Sequence, residues 1–90
     1  MESVSIDMNN AAPLSAAASS EMLFQMGLMY ALGRGVERDN VAAHKWFNIA
    51  AAKGCPSAGD ERAALALEMS REDIVKAQKQ ARAWTRTQLH

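Results

Sequence analysis

Disulfides, membrane-length apolar runs and early basic residues are all missing from this chain, and each absence removes a class of protein. Cys55 is the single cysteine among 90 residues. No intrachain disulfide can form, and such usage suits a reducing compartment. The longest apolar stretch, around Met22 to Leu32, is interrupted by Gln25 and Gly27, short of the roughly 18 residues that a bilayer span requires. No Lys or Arg precedes Arg34, so the basic region of a secretory signal is lacking and the cytoplasm is the expected location. Gly33-Arg34-Gly35 has neither the third glycine nor the preceding strand of a phosphate-cradling loop. Asp60 and Glu61 are adjacent and diverge on a helix, while Glu72 and Asp73 belong to a helix start. Neither pair makes the convergent carboxylates that catalysis uses. His44, Cys55 and His90 follow no zinc spacing. No catalytic, cofactor-binding or metal-binding residues are therefore assigned, and an enzyme is not expected.

What is present is an apolar fraction of 49% on a chain whose formal charge balances to zero, the profile of one small globular domain. Its core must be thin, because domains of this size bury only about 60% of the surface their unfolded chains expose. The charge balance conceals a polarity. Residues 1–73 carry six basic and ten acidic groups, whereas residues 74–90 carry Lys76, Lys79, Arg82 and Arg86 with no acid. Such a gradient can steer an acidic partner or favour head-to-tail association of two copies. Residues 1–18, rich in Asn, Ala and Ser with Pro13, show no periodicity and read as a flexible lead-in. The domain proper is expected over residues 19–87.

Four helices and no strand are predicted within it. The first runs from about Ser20 to Leu32, with Met22, Met26, Met29 and Tyr30 at helical spacing and Leu23 and Gly27 beside them. Phe24 and Leu28 fall on the opposite side, so the helix is apolar nearly all round and one face has no obvious intrachain cover. Gly33 ends it and Gly35 permits a second reversal. The second helix starts after Asp39, whose carboxylate can cap it, and ends at Lys53-Gly54. Ala43, Trp46, Phe47, Ala50 and Ala51 form its inner stripe, which leaves His44, Lys45, Asn48 and Ala52 outside. A weaker third helix is expected from Pro56 or Ser57 to Met69, with Ala58, Leu65, Ala66 and Met69 inward and Arg62 on the same stripe. Arg62 is expected to lay its stem along the surface and pair with an acid. Ser70-Arg71-Glu72-Asp73 has the form of a capping box for a fourth helix reaching Thr87. Its apolar face is Ile74, Ala77, Ala81 and Trp84, opposite the stripe of Lys76, Lys79, Arg82 and Arg86.

The run Met26-Gly27, Tyr30, Gly33, Gly35-Val36, Asp39, Ala43, Trp46-Phe47, Ala50-Ala51 and Gly54 resembles the Sel1-like repeat, a relative of the tetratricopeptide repeat. One complete repeat is covered. The resemblance implies a helix pair in which Gly27 allows close approach, Tyr30 and Trp46 fill the space between the helices, and the alanines admit the next unit of a right-handed solenoid whose concave face holds protein partners. A second unit beginning at Ala58 departs at once: Arg62 stands in place of Met26, Ala63 of Gly27 and Ala66 of Tyr30. The segment from Ala58 to Trp84 is similar to the closing helices of such arrays. The implied fold is all-α, a short α/α solenoid unit of one repeat plus a degenerate C-terminal capping helix pair.

The function implied is a non-enzymatic protein–protein interaction module, a small adaptor or assembly unit, self-associating as a dimer through its apolar first helix. Phe24, Leu28 and Met22 are the candidate contact residues there, since fewer than three repeats rarely form a stable stack alone. Lys76, Lys79, Arg82 and Arg86 are a second candidate surface, for an acidic protein or, as the alternative function, for nucleic acid. A basic stripe is also what a solvated helix face looks like, and nothing else here supports nucleic acid: no interleaved aromatics and no strongly basic balance.

Overall fold

A computed structural model describes residues 19–88, and the lead-in expected over residues 1–18 lies outside them. Four helices follow in order: α1 (Ser20–Leu32), α2 (Asn40–Ala52), α3 (Pro56–Ala66) and α4 (Arg71–Thr87). No strand occurs among the described residues.

Local chemistry sets most of these boundaries. Ser19 Oγ accepts the Met22 amide at 3.1 Å to open α1, satisfying one of the donors that a helix start leaves free. At the other end Gly33 takes φ +70°, and the Arg34 amide donates to the Met29 carbonyl at 2.9 Å. This left-handed closure favours glycine. The Asp39 amide then reaches back to the Tyr30 carbonyl at 3.0 Å, and Asp39 Oδ1 accepts the Ala42 amide at 3.0 Å to start α2. One residue thus ties the connecting loop to the helix behind it and caps the helix ahead. α2 closes as α1 does: Gly54 has φ +105°, and the Cys55 amide donates to the Ala50 carbonyl at 3.1 Å. Ser70 Oγ accepts the Asp73 amide at 3.1 Å, the serine half of the expected capping box. α3 stops at Ala66, three residues short of the expected Met69. Amides 67, 68 and 69 turn to carbonyls 64, 65 and 66 instead, the tighter i to i+3 pattern common at helix ends.

α2 is the axis of the fold, and each of the other three helices packs on it. Phe47 meets α1 where Gly27 sits: a Cβ there would fall 2.4 Å from Phe47 Cδ1. Phe24 lies on the same ring, with centroids 5.8 Å apart. Trp46 turns away to α4 and meets Trp84 edge to face, at 5.5 Å and 81°. The expectation that Trp46 fills the space between the paired helices is corrected by this arrangement. Trp46 and Phe47 are consecutive, about 100° apart on a helix, so they serve different neighbours. Alanines supply much of the remaining core, with Ala43, Ala50, Ala58, Ala77 and Ala81 all buried. Phe47 and Leu23 are its largest fully buried side chains.

α2 holds two further differences. His44, expected outside, is only 2% exposed, because α3 covers the face that a two-helix repeat would leave open. Ile49, omitted from the inner stripe, is also buried. Arg62 is half-buried as expected, but its partner is an amide in place of an acid: Nη1 donates to Asn48 Oδ1 at 3.1 Å.

Candidate functional site

Two surfaces remain after the helices have packed. The first is the outer flank of α1. Leu23 and Gly27 are buried, and Phe24, Met26, Leu28, Tyr30 and Ala31 rest against the core. Met22, Met29 and Leu32 are 43%, 38% and 56% exposed, at spacings of seven and three that place them on one side with Gln25. Of the three candidate contact residues on this helix, Met22 is exposed, whereas Phe24 and Leu28 are half-buried on the intrachain side. The uncovered face expected at Phe24 and Leu28 is therefore displaced around the helix. Gly27 carried the signal for the true orientation: the helix surface nearest a neighbour is the one without a side chain, and Gln25, Met29 and Leu32 lie across from it.

The second surface is on α4, where Lys76, Lys79, Arg82 and Arg86 are all exposed. The four do not form one site. Arg82 and Arg86, one turn apart, border an open groove of about 380 Å³ whose other lining includes Ala81 and, from α2, Asn48, Ile49 and Ala52. Lys76 and Lys79 lie beyond it. No acidic side chain lines the groove.

Two titratable groups on α2 are perturbed. Burial pushes His44 below its ordinary pKa, the Arg62 charge pushes it the same way, and a backbone hydrogen bond opposes them. The imidazole is therefore neutral at pH 7. His44 Nδ1 and, one turn earlier, Asn40 Oδ1 are buried without a hydrogen-bond partner among the described residues. Lys45 is lowered by burial, with Asp39 opposing, and its Nζ lies 4.2 Å from the centre of the Trp46 ring, a cation–π contact. Cys55 is a buried free thiol. Among the described residues no three His, Cys, Asp or Glu side chains gather as metal ligands, and no helix is long and apolar enough to cross a membrane.

An all-α helix pair closed on one side by two further helices, with an apolar flank open on the other, defines a helical-repeat protein. Residues 20–55, the α1–α2 pair and its closing turn, match the family model described as Sel1 repeat. Repeats of this family generally mediate protein interactions. No curated protein and no solved structure matches the chain.

Proposed function

We propose that this chain is a non-enzymatic interaction module, a small adaptor or assembly unit, whose repeat is completed by a second copy docked along the outer flank of α1. The observation that carries this reading is the placement of exposed large apolar side chains among the described residues: Met22, Met29 and Leu32 share that flank, while the other two, Leu67 and Val75, lie outside α1. From Met22 to Leu32 the patch runs about 15 Å along the helix. Glu21 is the one charged residue of α1, so two copies can approach with little charge to desolvate. Methionine side chains adapt readily to a facing surface. Stacked repeats bury such flanks against a neighbouring unit, and the opposite side of α2 is already occupied by α3 and α4. A cytoplasmic setting belongs to the same reading, supported by a lone, buried cysteine.

The test is a solution mass by sedimentation equilibrium across a concentration series, run on the full chain and on a Met22→Glu, Met29→Glu double variant. The parent should weigh as a dimer and the variant as a monomer, with equal far-UV helicity. A parent that stays monomeric at millimolar concentration, or a variant that keeps the dimer mass, would overturn the assignment. Phe24 and Leu28 are unsuitable probes, since both rest on the core and charging them would unfold the chain.

A further inference from the structure

The geometry points to the α2–α4 groove as a second binding site, for a short segment of a partner protein that carries an acidic side chain beside an aliphatic one. This inference rests on the reading of the chain as an interaction module but uses a separate surface.

The floor of the groove is apolar, made by Ile49 and Ala81, both buried, with Ala52 at its edge. Its polar rim is rich in donors. The guanidinium groups of Arg82 and Arg86 are donors without acceptor capacity, and Thr85 adds a hydroxyl between them. Asn48 completes the set: its Oδ1 accepts from Arg62, and its NH₂ group can donate to a ligand. Arg82 and Arg86 have no carboxylate partner among the described residues, and no acid follows Asp73 in the sequence. Like charges one helical turn apart repel, and an anion bridging them relieves that repulsion with charge-assisted hydrogen bonds.

A stripe of cations alone would be a solvated face. The apolar floor beneath its lower half is what distinguishes this pair from Lys76 and Lys79. A volume of about 380 Å³ is near the lower end of the roughly 300–1,000 Å³ typical of ligand sites, room for a carboxylate side chain and its aliphatic neighbour. A phosphate backbone would use the arginines but leave Ile49, Ala52 and Ala81 without a matching surface. An acidic-aliphatic peptide satisfies both halves of the groove.

The experiment is an NMR titration of the ¹⁵N-labelled full chain with acetyl-Leu-Glu-Leu-Glu-amide. Saturable shifts are expected at Asn48, Ala52 and residues 81–86. An Arg82→Gln, Arg86→Gln variant should bind at least about tenfold more weakly, as loss of two charge-assisted contacts implies. A Lys76→Gln, Lys79→Gln variant, which removes the same charge from the same helix, should stay within about twofold because those side chains lie outside the groove. Absence of saturation at several millimolar peptide, equal binding of the Leu-Gln-Leu-Gln analogue, or equal losses in the two variants would each overturn the proposal. So would inorganic phosphate or a short oligothymidylate that shifts the same amides more tightly than the peptide does. The mass of the arginine variant is measured alongside: an unchanged dimer separates failure of this groove from failure of the α1 surface.

Discussion

Replacing Gly27 with Ala tests the packing on which the repeat depends, because the same substitution elsewhere in the chain should act with the opposite sign. The added Cβ would lie 2.4 and 2.5 Å from Phe47 Cδ1 and Cε1, where carbon atoms rest about 3.5–4.0 Å apart. The ring must therefore retreat by roughly 1 Å, and it has little room: Phe47 is 1% exposed and backed by the Phe24 ring. Overpacking of this kind costs about 1–3 kcal/mol, and an overlap this deep belongs at the upper end. Alanine regains about 1 kcal/mol through its helix propensity, so the net loss is about 2 kcal/mol. In a domain of this size that lowers Tm by roughly 8–16 °C, at about 4–8 °C per kcal/mol. Gly59→Ala is the control. Its Cβ would meet the Ala51 Cβ at 3.8 Å, an ordinary contact, so the propensity gain of about 1 kcal/mol should appear undiminished as a higher Tm. Thermal unfolding followed by far-UV circular dichroism reads both. Shortening the ring with Phe47→Leu should rescue the Gly27→Ala chain in part, with a coupling of about 1 kcal/mol in the double-mutant cycle. A Gly27→Ala protein that melts above the parent would refute the close approach of α1 and α2.

Removing the edge-on partner of Trp46 by Trp84→Ala should lower stability by about 2–4 kcal/mol in urea titration, somewhat under a fully buried truncation because Trp84 is half-buried. The near-UV dichroism of the tryptophans should collapse with it. Ser70→Ala deletes the oxygen that accepts the Asp73 amide and should cost about 1 kcal/mol, whereas Ser70→Asp should cost far less. His44 makes stability depend on pH: its folded pKa is depressed, first by burial and then by Arg62, below the ordinary 6.5. Above 6.5 the ring is neutral folded and unfolded, and its full contribution is present. As pH falls through about 6.5 and on through the folded pKa, the unfolded chain holds the extra proton and stability drops. Urea midpoints measured against pH should show this fall in the parent and lose it in His44→Gln; a flat parent profile would show that His44 is not held neutral by the fold.

How much of this could be read from residues alone depends on whether local or surrounding chemistry decided the matter. Ser20–Leu32 and the start of α2 follow from groups within three or four positions, Asp39 at the cap and Gly33 and Gly54 at the closures, and these were legible. The end of α3 was not. Leu67, Glu68 and Met69 are all competent helix formers, and the chain leaves the helix at Ala66 without a glycine or proline to mark it. The direction of the two aromatics was likewise hidden. Consecutive residues on a helix diverge, and spacing cannot say which of Trp46 and Phe47 takes α1 and which takes α4. His44 failed for a third reason: reading a polar residue as exposed assumes a helix covered on one side, and α2 is covered on three.

That enclosure of α2 also explains why the two proposed interaction surfaces fall where they do. With α1, α3 and α4 arranged around it, α2 has little surface left except the strip between α3 and α4, and that strip is the floor of the groove edged by Arg82 and Arg86. α1, by contrast, packs chiefly on α2 alone, so its far side keeps the methionines that a neighbouring unit of a longer stack would bury. The two surfaces have opposite chemistry because they arise at different stages of the same construction. Closing helices end a stack by turning small residues inward and charge outward, as Ala77, Ala81 and the basic stripe of α4 do. An unclosed flank keeps the apolar character of a repeat interior. The alanine-rich core sharpens the contrast: small side chains contribute little burial energy each, and Phe47 and Leu23 are the only large side chains fully enclosed among the described residues. A partner covering Met22, Met29 and Leu32 would thus add apolar burial to a thin core, and under the proposed assembly its binding would raise the apparent stability of the chain.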